Sequence, residues 1–158
     1  MRRFRDDDLD ALARWHADPL FMRHMGRGPM SRPESASALA RYAEHWDEHG
    51  FGILAVEHRE TGTLVGRSGV AYHRAWRPNP EVGWAIEPTW WGRGLATEAG
   101  AACVRWGHDE LGFDRLVSIC LAENAASRRV MEKLGFELLT TVEDPFAGLD
   151  LLVHARDT

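Results

Sequence analysis

The chain has 158 residues, 44% of them hydrophobic, a formal net charge of −5 and two cysteines. That length gives one domain, large enough for a two-layer core, and no apolar run is long enough to cross a bilayer. The acidic balance argues against a nucleic-acid partner and, being a whole-chain sum, fits basic amines or basic peptide termini only loosely. Cys103 and Cys120 make neither a metal spacing nor a disulfide framework, and no signal peptide precedes Met1, so a reducing cytoplasm is expected, with no metal.

In chain order, Met1–Arg5 reads as the end of a strand. Asp6, Asp7 and Asp8 place acid at a helix N-terminus whose apolar face is Leu9, Leu12 and Trp15. From Ala17 to Arg32 there is no clean period. Pro19, Gly26, Gly28 and Pro29 punctuate a loop carrying Phe21, Met22, Met25 and Met30, which reads either as a cluster pinning the loop to the core or as one wall of a pocket. Ser31 and Glu34 form a capping box, and the helix they open carries Ala38, Leu39, Tyr42 and Trp46 and stops at Gly50. Phe51–Arg59 and Thr63–His73 are rich in strand formers and predict an antiparallel hairpin, followed by a loop over His73–Pro80.

Glu81–Ile86 predicts a strand closed by Pro88. After the turn Trp90–Thr97, Leu95, Ala99, Ala102, Cys103 and Trp106 recur at helical spacing, with Leu111 extending the stripe and Gly112 at the C-cap. A strand, a glycine-bearing turn and a helix leave the first helical N–H groups pointing back toward the turn, which makes an anion site. Gly92 and Gly94 admit phosphate oxygens to the backbone, and Arg93 supplies a full charge. The same pattern also serves as a plain tight connection. No Gly-Lys-Ser/Thr follows, which excludes a nucleoside-triphosphate loop. A dinucleotide fingerprint fails because Thr97 takes the place of its third small residue and Asp114 opens the strand Arg115–Leu121 instead of closing it. Phe136–Val142 and Leu149–Val153 are the last predicted strands. The whole reads as one α+β domain over residues 1–158, with one parallel crossover and neither linker nor repeat.

Trp91-Gly92-Arg93-Gly94-Leu95-Ala96 resembles the pyrophosphate loop of the GNAT superfamily of acetyl-CoA-dependent N-acetyltransferases, Gln/Arg-x-x-Gly-x-Gly/Ala, at its fourth and sixth positions; Trp91 replaces the usual first residue. Asn124-Ala125-Ala126-Ser127 and the ending Lys133-Leu134-Gly135-Phe136 resemble the branch that acetylates ribosomal-protein N-termini. The two blocks stand in the family's order and separation. Met1–Arg5 matches only the last part of the family's first strand, so either that strand is short or the chain begins inside a longer one.

The resemblance implies the GNAT fold: a mixed, mostly antiparallel sheet of about six or seven strands with about four helices. Its central parallel pair splays into a V that holds pantetheine. It implies acetyl-CoA bound by backbone groups near Ala85 and Ile86, by Trp91, Gly92, Arg93, Gly94, Leu95, Ala96 and Thr97, and by Asn124 and Ser127, with Arg128 or Arg129 toward the 3′-phosphate. Asn124 also reads simply as an N-cap.

Attack of a neutral amine on a thioester needs a sink for the amine proton, donors to the oxyanion and a proton for the thiolate. Met131 stands where many members carry a Tyr proton donor. Ser127 is the substitute that the resemblance suggests, although a small helix residue near the cap needs no such role. Glu81 resembles an acid used as base elsewhere in the superfamily, and Glu143, Asp144, His73 or a water chain are its rivals. The expected function is acetyl transfer to a primary amine by a monomer or homodimer. A protein N-terminus is favoured over a polyamine or aminoglycoside, and a non-catalytic acyl-CoA-binding module is the alternative. Loops at Phe21–Met30, Arg74–Asn79 and Asp144–Asp150 are expected to shape the acceptor pocket.

Overall fold

The computed structural model describes residues 1–73, 76–144 and 148–158, and seven strands form one sheet in the order β1-β2-β3-β4-β5-β7-β6. In chain order these are β1 (Arg2–Arg3), β2 (Ile53–Glu57), β3 (Leu64–His73), β4 (Trp76–Ile86), β5 (Arg115–Leu121), β6 (Glu137–Glu143) and β7 (Asp150–Asp157). Neighbours run antiparallel except β4 and β5, and a parallel pair needs a long crossover. Here it is α4 (Leu95–Arg105), prolonged by a π-helical turn over Trp106–Glu110. Gly112, at φ 72°, follows that turn.

Alternation along β4 divides the core in two. Val82 packs with Val70, Cys103, Leu116 and Met131 beneath α4 and α5 (Ala125–Lys133). Ala85, three residues on and therefore on the opposite face, packs with Leu12 and Trp15 of α1 (Leu9–Ala17) and Ala38 of α3 (Arg32–His49). Burial of these apolar faces is what holds helices of nine to eighteen residues against the sheet.

The capping box is formed: the Glu34 carboxylate accepts the Ser31 N–H at 2.7 Å, and Gly50 ends α3 at φ 75°. Asp8 does more than complement a helix dipole. It is buried, accepts the Arg5 N–H at 2.7 Å and takes the Arg2 guanidinium at 2.7 and 2.8 Å, and Arg2 holds its carboxyl below the usual range. Arg2 also reaches Glu57 at 2.8 Å, so ion pairs anchor a strand only two residues long.

Three expectations need correction. The aperiodic stretch after Ala17 contains a one-turn helix, α2 (Pro19–Met22), because the Asp18 carboxylate accepts the Leu20 N–H at 2.8 Å and Pro19 presets the first turn. Trp76–Pro80 is strand instead of loop: β4 starts at Trp76 opposite His73, and a register shift before Glu81 accommodates proline, which cannot donate to the ladder. Residues 74 and 75 of that predicted loop lie outside the described residues, as do 145–147 of the final hairpin. Strand β7 runs past Val153 to Asp157, since β5 pairs with it throughout and Arg115 grips Asp157 at 2.5 and 2.8 Å.

Candidate active site

Among the described residues, strands β4 and β5 are paired at one position, Glu81 opposite Val117. Beyond it β4 stays with β3 as far as Ile86 and β5 stays with β7 as far as Leu121, so the two part company. The gap is a cleft of about 560 Å³. One wall is Trp84–Ile86, another the turn and first residues of α4, a third Asn124, Ser127, Val130 and Lys133 of α5; Phe21, His24 and Met25 close it from the α2 side.

A side chain at Gly66 would strike the Ala85 carbonyl, so that carbonyl faces β3. The amide of the same peptide, Ile86 N–H, points the opposite way, into the cleft. Of the two backbone positions read from the sequence, Ile86 therefore presents a donor there, and Ala85 commits its carbonyl to the sheet. The Trp91 indole donates to the Ile86 carbonyl at 2.6 Å, which pins the turn to the strand end.

Gly92 and Gly94 have φ of 76° and 79°, and nothing lies within 4 Å of where their Cβ atoms would be. The first intrahelical bond of α4 is Glu98 N–H to Gly94 carbonyl at 3.0 Å, so the N–H groups of Leu95, Ala96 and Thr97 lack intrahelical partners. These three residues line the cleft with Gly92 and Gly94. The left-handed glycines turn the chain without covering those donors, and the helix dipole adds positive potential. Arg93 is not part of the wall; its guanidinium lies over the Trp90 ring at 4.6 Å.

Asn124 is the N-cap of α5: its side-chain oxygen accepts the Ser127 N–H at 3.1 Å, leaving its NH2 group as a donor. Asn124 and Ser127, three residues apart, share the face toward the cleft. Arg128, one residue on, is rotated toward the sheet. Its charge acts on Cys120 and His154, its Nε is buried with no hydrogen-bond partner among the described residues, and it is not among the residues that line the cleft. Arg129 is exposed and also absent from the wall; Lys133 is the α5 cation that lines it. Met131 is fully buried in the core and faces away from the cleft.

Glu81 sits at the apex where the strands separate. Burial pushes its carboxyl above the usual range, while His73, Arg67 and the N–H of Ile119 work in the other direction. Ala71, opposite Glu81, puts His73 on the same face of the sheet. Glu143 is exposed on the outermost strand and Asp144 is buried in the β6–β7 turn; neither lines the cleft, and Glu81 and His73 also stand behind its wall, Glu81 nearest through Ala85 on the same strand face. The sequence reading offered Met25 as a wall residue but did not single out His24 or Lys133. The methionine-bearing loop was the one signal that pointed toward the first two.

Residues 1–137 match the acetyltransferase (GNAT) domain. The chain belongs to the GNAT family. As a GNAT acetyltransferase it is 28% identical over 138 residues to the uncharacterised N-acetyltransferase YoaA of Bacillus subtilis (strain 168), covering 87% of this chain and 78% of that one. An acetyltransferase from Agrobacterium tumefaciens str. C58 superimposes with a TM-score of 0.86 at 29% identity, over 99% of this chain and 89% of that one. The fold is shared, at 18% identity and a TM-score of 0.81, by a Vibrio cholerae spermidine N-acetyltransferase solved with CoA and spermine, with coverage of 99% and 91%.

Proposed function

We propose that this GNAT enzyme binds acetyl-CoA along the cleft and acetylates a primary amine, with a protein N-terminus as the acceptor. The observation that carries the reading is the continuity of one cleft from the uncapped N–H groups at Leu95–Thr97, past the inward Ile86 N–H, to Ser127. A diphosphate suits the first donor set, an amide-bearing arm the second. When bound, acetyl-CoA supplies an acetyl group activated as a thioester. Gly92 and Gly94 leave the backbone open to it, and Asn124 offers its amide NH2 from the opposite wall.

Ser127 holds a hydroxyl where the departing sulfur would be protonated or hydrogen-bonded. Glu81 takes the amine proton, directly or through water, since burial raises its proton affinity. The protein-terminus acceptor is supported by the likeness of Asn124–Phe136 to the ribosomal-protein branch. The described helices include none long and apolar enough to cross a membrane; the enzyme works in the cytoplasm as a monomer or homodimer. Free-thiol release from acetyl-CoA, measured against a panel of N-terminal peptides, polyamines and aminoglycosides, tests the reading. Turnover with any amine eliminates a purely acyl-CoA-binding role, and preference for a polyamine or an aminoglycoside would refute the peptide acceptor.

A further inference from the structure

The face of β4 that carries Glu81 is also the face that meets α1 and α2, and its outstanding charge is Arg67. This residue pairs with Ala85 across β3 and β4, which puts it on the same side of the sheet as Glu81 and Gly83. Its stem runs past Tyr42, with the guanidinium 6.0 Å from the ring centre, and Nη2 lies 3.5 Å from the sulfur of Met25, a residue of the cleft wall. Nε is buried without a hydrogen-bond partner among the described residues; Arg67 is not itself a wall residue but stands directly behind two of them, Met25 and Ala85, and its charge acts on Glu81 with no ion pair between them among those residues.

The surroundings explain why it needs one. Arg23 and His24 line the same end of the cleft, and His24 also has a buried, unpartnered Nδ1. Of the acids near this end, Glu87 is engaged by Arg14 at 3.4 Å and Glu34 by Arg27 at 2.8 Å, while Glu81, on the same face as Arg67, feels its charge with no ion pair between them among the described residues. Glu123 belongs to the opposite wall, beside Asn124. The positive potential reaches into the core, where Arg67, Arg27 and Arg41 reinforce burial in depressing the nearby His16.

Resting on the acetyl-transfer reading, we infer that the acceptor is an amine that carries its own carboxylate, and that Arg67 recognises that carboxylate and so sets acceptor specificity. A guanidinium with idle donors suits a planar carboxylate, and a polycation brought to this end would meet Arg23, His24 and Arg67. The carboxylate belongs either to an acidic residue next to a peptide N-terminus or to a free amino acid; the chemistry at Arg67 is the same.

The test compares peptides that differ only in having Glu, Gln or Lys after an N-terminal alanine, together with free glutamate and spermidine. Two readouts are taken: kcat/KM by thiol release, and the melting temperature of the dead-end complex of protein, CoA and acceptor. The Glu peptide or glutamate should exceed the Gln peptide by about tenfold or more, with the Lys peptide and spermidine last, because a charge-assisted pair is the stronger kind. Whether the Glu peptide or glutamate leads identifies the source of the carboxylate.

Arg67→Met keeps the stem against Tyr42 and Met25. It should erase the ranking and the acceptor-dependent melting shift while leaving the shift caused by acetyl-CoA alone, and Arg67→Lys should restore part of both. Equal turnover across the series, a reversed order, or no turnover and no acceptor-dependent shift overturns the inference, as does an unchanged ranking in Arg67→Met. A wild-type protein that acetyl-CoA itself fails to stabilise removes the acetyl-transfer reading, and this inference with it.

Discussion

Replacing Gly94 with glutamate strikes the proposed phosphate cradle in two separable ways. At φ 79° the backbone is left-handed, so any side chain there costs about 1–2 kcal/mol of conformational strain even though the space around the missing Cβ is open. Gly94→Ala measures that part alone. Glutamate adds a negative charge beside the uncapped N–H groups of Leu95–Thr97. At about 5 Å from a bound phosphate, two like charges repel by about 1 kcal/mol in water and about 3 kcal/mol at the effective dielectric of a protein surface. Affinity for acetyl-CoA should therefore fall by about 5- to 160-fold. The assay is thermal melting with acetyl-CoA at ~100 times its wild-type dissociation constant, which adds about 2.7 kcal/mol to the folded state. For a domain of this size that is a rise of roughly 5–10 °C. Gly94→Glu should retain at most about two-thirds of it, while Gly94→Ala, melting lower in its free form, should retain nearly all. NAD and ATP should shift neither protein. A folded Gly94→Glu variant with the full acetyl-CoA shift would show that the loop does not hold the diphosphate.

Ser127→Ala should lower kcat by about 10²–10⁴-fold with acetyl-CoA affinity nearly unchanged, and a fall of less than about threefold would assign Ser127 a helical role only. Glu81→Gln keeps an acceptor for the Ile119 N–H but cannot take a proton, so kcat/KM should drop and lose the acid-side limb of its pH profile; a wild-type limb retained in the variant clears Glu81 of the base role. Because folding raises the Glu81 pKa, its ionisation destabilises the fold as pH rises through the folded value. Urea titrations should find the Gln variant gaining stability relative to wild type at pH 8 compared with pH 4. His16 behaves oppositely: buried beside Ser35, with Nδ1 3.1 Å from Oγ, it is pushed down to about 4. Stability that it contributes above pH 6.5 should be lost as pH falls toward 4, by roughly 2 kcal/mol after discounting for solvent screening, and His16→Gln should flatten that part of the curve in denaturant titrations.

The sequence by itself determined the elements whose signals are local. The Ser31–Glu34 box and Gly50 delimit α3 because caps are satisfied by neighbours in the chain, and Arg115–Leu121 is a strand end to end because it is a buried apolar run. The glycines at 92 and 94 announced a left-handed turn into α4 with open amides for the same reason: these are properties of a few consecutive residues. What the sequence left open depends on which surfaces meet. One helical step, about 100°, separates Ser127 in the cleft from Arg128 against the sheet, and only the packing of α5 on β5 and β7 decides which side faces where. Pro80 looked like a loop residue until the shifted pairing of β3 with β4 gave it a place in a strand. His24, Met25 and Lys133 come from distant parts of the chain, and they share one wall because β4 and β5 separate beyond Glu81. That separation is a property of the whole sheet, since each strand keeps its outer partner while losing the inner one, and no run of residues spells it out.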